Sequence, residues 1–170
     1  MKRFLISFFL LLMSNIIFSQ VAIGKEVISS QSVSLEFGSE NRGLILPWVP
    51  IATVLANLQE PGTLVLAIQG NVSQVGFKKN TDWGTLTNNG AVNSTLQDNL
   101  TEKTDSKVGI GTPTNTDGIL VLEDTNKAMI LPKVASPHLN IIKPEPGTIV
   151  FDTLKQQLVV FNGVEWYFWN

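Results

Sequence analysis

Met129-Ile130-Leu131-Pro132, with Pro146-Gly147-Thr148-Ile149-Val150 following 14 residues later, repeats an earlier stretch of the same chain, Leu44-Ile45-Leu46-Pro47 with Pro61-Gly62-Thr63-Leu64-Val65. Pro47 and Pro132 stand 85 positions apart, and so do Pro61 and Pro146. One unit is therefore written twice. Outward from these markers the match continues. Val21-Ala22-Ile23-Gly24 opens the first copy and Val108-Gly109-Ile110-Gly111 the second, each a short apolar strand that turns at a glycine, Gly24 or Gly111. Next come Val33-Ser34-Leu35-Glu36-Phe37 and Leu120-Val121-Leu122-Glu123, aligned on their Leu-Glu pairs and followed by polar turns at 38–42 and 124–127. Strand, turn, strand is the pattern these segments predict. The strands at 43–49 and 128–134 carry Pro47 and Pro132. Proline has no amide hydrogen to give to a ladder, so these strands lie at an edge or bend at the proline.

Between each proline and its Pro-Gly turn, Val54, Leu55 and Leu58 have the spacing of one helical face, which predicts a short helix in the first copy; Pro137 limits the second. After the turn, residues 148–152, 157–161 and 164–169 are β-branched or aromatic runs, the last two separated by Asn162-Gly163, a strong hairpin signal. The first copy ends in a looser version, 63–68, 72–77 and a strand around Trp83. Trp83 and Trp166 are the matched closing aromatics, 22 and 20 residues after their turn prolines Pro61 and Pro146. The expected fold is mainly β, with two tandem small antiparallel β units (meander and hairpin), each with at most a short helical turn. The units are 20–84 and 108–170. Residues 85–107 are rich in Thr, Asn, Ser and Asp and cannot bury enough apolar surface to offset ordering entropy, which predicts a polar linker.

The first 19 residues read as a cleaved export signal: Lys2 and Arg3, an apolar run over 4–18, then Ser19-Gln20 at the cut. The apolar run is shorter than the roughly 20 residues of a spanning helix and is interrupted by Ser14-Asn15, so no membrane span is expected after cleavage. The expected destination is the periplasm, the outer surface or the medium of a Gram-negative bacterium. With 12 basic and 14 acidic residues in the whole chain, loss of Lys2 and Arg3 leaves 10 against 14, a net charge of −4. Nucleic acid, which needs clustered basic groups, is not an expected partner. There is no cysteine, hence no disulfide and no lipid-bearing cysteine after the cut. Charged residues make up only 15% of the chain and hydrophobic ones 44%, which implies apolar surface that meets another chain.

Val108-Gly109-Ile110-Gly111-Thr112-Pro113, the Leu-Val-Leu-Glu strand, Met-Ile-Leu-Pro, Pro-Gly-Thr-Ile-Val-Phe-Asp and Phe161-Asn162-Gly163-Val164-Glu165-Trp166 together resemble a repeat of secreted bacterial surface proteins and phage tail-fibre-like proteins. The resemblance spans 108–166, with a degraded version over 21–83. It implies intertwined β-structure in a fibre, often a trimer, used as shaft, spacer or adhesin, and it implies no catalytic residues and no cofactor.

The residues themselves point the same way. The single histidine, His138, has no cysteine or Gly-x-Ser-x-Gly elbow to act on, and one histidine without cysteine makes no zinc site. Asp98, Glu102 and Asp105 would share a helix face, but the glycine-centred calcium loop is missing. Trp48, Trp83, Trp166 and Trp169 alternate with aliphatic residues, which favours core or subunit interface over a sugar-binding platform. Trp48, Tyr167 and Trp169 are the candidate interface or glycan contacts. On the last strand, alternation places Val164, Trp166 and Phe168 toward the core, with Tyr167 and Trp169 outward beside a free edge. The expected partners are further copies of the chain, with a trimer favoured, or other envelope proteins; a glycan is the alternative. The functional expectation is a non-enzymatic, exported structural or adhesive protein, with a lectin-like module as the rival reading.

Overall fold

The computed structural model describes residues 20–98, 100–101, 106–111, 116 and 118–170. The export segment, Thr112-Pro113 of the opening motif, and Glu102 and Asp105 lie outside these residues. The first copy comprises β1 (Val21–Ile23), β2 (Val33–Phe37), β3 (Leu44–Ile45), β4 (Trp48–Pro50), a helix Ile51–Asn57, β5 (Leu64–Gln69), β6 (Val72–Lys78) and β7 (Trp83–Thr85). After it come β8 (Gly90–Ala91) and a 3-10 turn, Ser94–Gln97. The second copy repeats the order: β9 (Val108–Gly111), β10 (Leu120–Glu123), β11 (Ala128–Ile130), β12 (Lys133–Val134), a four-residue helix Pro137–Asn140, β13 (Thr148–Asp152), β14 (Gln157–Phe161) and β15 (Trp166–Trp169). The fold is mainly β.

The local signals act as their chemistry dictates. Each predicted proline-bearing strand breaks at its proline, and the halves join different sheets: β3 and β4 flank Pro47, β11 and β12 flank Pro132. The carbonyls of Pro47 and Pro132 accept from the amides of Leu66 and Phe151, both at 2.9 Å, so the 85-residue repeat is kept down to single hydrogen bonds. Gly62 and Gly147 hold φ of +89° and +84°, the left-handed conformation that each Pro-Gly turn requires. Both meanders are antiparallel, with Leu64 opposite Phe77 and Ile149 opposite Val160. The second hairpin is two residues shorter, so the offset between copies falls from 85 to 83. Lys78 then faces Trp83 as Phe161 faces Trp166. This accounts for the unequal spacing of the closing tryptophans.

The opening strands depart from the antiparallel expectation. β1 pairs β2 in parallel, β9 pairs β10 in parallel, and β4 and β12 lie parallel to β5 and β13. The loops between opening strands are long enough to return the chain to its starting end, and nothing local in the sequence marks that choice. The ladder also corrects the Leu-Glu alignment. Leu35 lies opposite Val21 and Leu120 opposite Val108, so Leu120, 85 positions on, is the counterpart of Leu35 rather than Leu122. A two-residue slip leaves every side chain on its face, and hydrophobic pattern alone cannot detect it.

The copies share strands and a core. β11 of the second copy adds in parallel to β2 of the first, and β3 of the first adds antiparallel to β13 of the second. One apolar cluster joins Leu46, Leu66, Ile68 and Val75 to Ile149 and Val160, with Val92 from the segment between the copies. That segment is thus anchored at its start: Val92 is buried, and the Thr87 hydroxyl, also buried, accepts from the Val75 amide at 3.0 Å. A smaller cluster of Val134, Val150 and Val159 lies under Trp166.

Candidate self-association surface

β2 and β10 are counterparts with different surroundings. β2 has strands on both edges, and its residues Val33, Ser34, Leu35 and Glu36 are all at most 3% exposed. Its two buried polar side chains are satisfied. The Ser34 hydroxyl donates to Asp124 of the second copy at 2.5 Å, and Glu36 pairs with the Lys25 ammonium at 2.6 Å while accepting from the Ser29 amide at 2.8 Å. The bond from Lys25, then that from the Ser29 amide, hold the Glu36 carboxyl down to about 2, against the opposing effect of burial.

β10 has one neighbour, β9, and among the described residues no strand covers its other edge. Where β2 alternates with Ser34 and Glu36, this strand and its entry read Ile119-Leu120-Val121-Leu122, apolar on both faces. Continuous apolar runs of this kind belong to parallel strands covered on both faces. Here Ile119 is 61% exposed, Leu120 38% and Val108 on the adjoining strand 56%. A two-stranded ribbon is marginally stable alone in water. Ile110 of β9 is buried, so the exposed apolar surface of the ribbon gathers at Val108, Ile119 and Leu120. Sequence reading missed it, although the lack of alternation in 119–122 was the signal.

The residues singled out from sequence fall elsewhere. Trp48 is half-buried between the copies, with its indole N–H donating to the Pro146 carbonyl at 3.0 Å and its ring on the shared core. Trp83 lies against Gly76 and Trp166 against Phe161, the latter with ring centroids 5.1 Å apart. On β15 the expected division of faces holds for Trp166 alone among the inward set. Val164 is exposed and Phe168 is 46% exposed, meeting the edge of His138 at 5.7 Å instead of closing the core. The larger core lies on the other face of the sheet: Tyr167 and Trp169, expected outward, stand opposite Val160 and Leu158, which pack in the cluster shared by the copies. Tyr167 donates to the Glu165 carboxylate at 2.6 Å, which pushes its phenol up. Trp169 is 44% exposed, and its indole N–H donates to the Leu86 carbonyl at 2.9 Å, tying the last strand to the first copy.

Asn162 and Gly163 do more than turn a hairpin. Asn162 is fully buried; its side-chain oxygen accepts from the amides of Val164 and Glu165 at 3.0 and 2.9 Å. Its amide donates to the Asn88 carbonyl at 3.2 Å, and its own carbonyl accepts from the Ser73 hydroxyl at 2.6 Å. Gly90 and Gly163 pass so close to the opposing backbone that neither position has room for a Cβ. This turn is the clasp between the copies.

Among the described residues no helix is long and apolar enough to cross a membrane. No curated protein and no solved structure matches the chain. Residues 108–170, from the first residue of β9 to the C-terminus and so including the half-covered ribbon, match the family described as the phage tail like trimerisation region.

Proposed function

We propose that the chain is an exported structural subunit of a tail-fibre-like assembly, which self-associates as a trimer through its second copy. The observation that carries this reading is the apolar β9–β10 ribbon, which has no strand on the outer edge of β10 among the described residues and lies inside the segment that matches a trimerisation region. Copy one and copy two, 20–84 and 108–170, act in it as tandem β units clasped into one body by the shared core. The export signal at 1–19 would deliver the mature chain to the envelope, surface or medium, where it serves as shaft, spacer or adhesin. The rival lectin reading needs a platform of exposed tryptophans. Trp169 alone of the four is more than a third exposed, and its N–H is engaged by the Leu86 carbonyl of the same chain, which disfavours such a platform. Light scattering on the mature protein tests the proposal. A mass of three chains is expected, and a single-chain mass at high concentration would refute it.

A further inference from the structure

The two joints that hold copy one to copy two inside the chain are each left half-used at the chain's outer ends. In the first joint, β11 lies on β2, with Met129 opposite Leu35 and Ile130 opposite Glu36. Among the described residues the equivalent position on β10 has no strand, and the equivalent strand in copy one, β3, is paired along one edge only, that facing β13. In the second joint, Ile45 and Leu44 of β3 lie opposite Thr148 and Ile149 of β13. The equivalent edge of β5, at Thr63–Leu64, has no partner strand among the described residues, where β4 pairs with Leu66, Ala67 and Ile68. β11, the counterpart of β3, likewise pairs with β2 alone among the described residues.

The backbone polar groups agree with these vacancies. In a ladder, alternate residues direct their N–H and C=O to opposite neighbours. The Ile119 carbonyl accepts from the Val108 amide at 2.9 Å, so residues 119 and 121 face β9 while Leu120 and Leu122 face the open edge. On β3, the Leu46 amide donates to the Gly147 carbonyl at 3.1 Å, so Leu44 and Leu46 face β13 and Ile45 faces away. Ile45 is 51% exposed.

We infer that the joint between the copies is also the joint between chains: copy one of a second molecule docks on copy two of the first. β3 of the newcomer adds in parallel to β10, with Leu44 opposite Leu120 and Ile45 opposite Val121. At the same time β11 of the first molecule adds antiparallel to β5 of the newcomer, with Met129 opposite Leu64 and Ile130 opposite Thr63. Both registers are the in-chain registers displaced by the 85-residue repeat. All four residues meeting along β10 are apolar, so the contact buries Leu120 and Ile45 in place of the polar partners that β2 uses. The interface is heterologous, each chain offering one surface and receiving the other, so it closes into a ring when the rotation per chain allows. This inference deepens the trimer reading and rests on it.

The chain lacks cysteine, which makes disulfide trapping clean. Opposed residues in neighbouring strands lie about 5 Å apart, within reach of a disulfide. The full mature chain carrying Leu44→Cys and Leu120→Cys should, on mild oxidation, yield two-chain and three-chain bands on a denaturing gel that collapse with reductant. Leu55→Cys with Leu120→Cys, which uses an exposed helix position, should stay a single chain. Leu122→Pro removes an outward amide without touching the β9 ladder, and should abolish the trimer while keeping the circular-dichroism melt of the single chain. A trimeric mass with no Leu44–Leu120 cross-link, and a trimer that persists in Leu122→Pro, would overturn the joint but leave the trimer standing. A monomeric wild-type protein would overturn both.

Discussion

Leu66→Ala reports whether the two copies are one cooperative body. Leu66 is fully buried in the cluster that takes Leu46, Ile68 and Val75 from copy one and Ile149 and Val160 from copy two. Removing three carbons forfeits roughly 2–3 kcal/mol of transfer free energy, and the cavity left behind adds about 1–2 kcal/mol if it cannot collapse. Collapse is resisted here by backbone. The Gly147 turn already sits so near that a Cβ there would lie 3.3 Å from that of Leu66, with the Leu46 carbonyl at 3.5 Å on another side. The expected total is about 4 kcal/mol, a fall in Tm of roughly 10 °C for a chain of this length. The assay is thermal unfolding followed both by far-ultraviolet circular dichroism and by tryptophan fluorescence, at matched protein concentration. Wild type and variant should each show one transition, coincident for both probes. Two transitions, with only the first moved by Leu66→Ala, would refute the shared core and leave the two copies as separately folding units.

Other consequences follow from single residues. Gly62→Ala and Gly147→Ala place alanine at nearly the same positive φ, but nothing lies within 4 Å of the added carbon at Gly62. The first should cost about 1 kcal/mol of strain and the second measurably more, by urea denaturation. Asn162→Ala removes the two amide bonds of its turn and orphans the Asn88 carbonyl, for an expected loss of about 2–3 kcal/mol in the same assay. Glu36 titrates in the folded chain at about 2, below its ordinary 4.5. A depressed carboxyl contributes stability that is fully present above its ordinary range and is lost as pH falls toward 2. Acid melts should therefore steepen in wild type between about pH 5 and pH 2. Glu36→Gln should be less stable at neutral pH with a flatter acid limb, and equal slopes in the two proteins would contradict the Lys25–Glu36 pair.

What the sequence made legible was local. Proline without an amide hydrogen, glycine at positive φ after Pro61 and Pro146, and the spacing from Val54 each act within a few residues, and so the breaks, turns, short helix and meanders could be read directly, although the helix buries Val54 alone, with Leu55 exposed and Leu58 past its end. Parallel pairing of β1 with β2, and the passage of β11 onto β2 and β3 onto β13, depend on partners up to about a hundred positions away. A register slip of two residues leaves hydrophobic pattern unchanged, which is why the Leu-Glu pairs misled. Asn162-Gly163 was legible as a hairpin turn, but a turn asparagine and a buried clasp carry the same dipeptide, so the burial of Asn162 was not. On β15, alternation fixed which residues share a face but could not report that the larger core lies on the side of Tyr167 and Trp169. The surface most telling for assembly, Ile119-Leu120-Val121-Leu122, was visible as a run, but its meaning emerged only from comparison with the fully covered β2.

Amide hydrogen exchange of the mature protein, resolved to single residues across β10, tests most directly the claim that chains meet at this strand. Within one chain the Val121 amide faces β9, whereas those of Leu120 and Leu122 face an edge with no strand among the described residues. The account predicts that Leu120 and Leu122 exchange slowly in the assembled protein, as the interior amides of β2 do, and that their protection disappears on dilution or in Leu122→Pro at Leu120. Fast exchange at Leu120 and Leu122 under conditions where Val121 and β2 are protected and the protein is trimeric would place the contact elsewhere and contradict it.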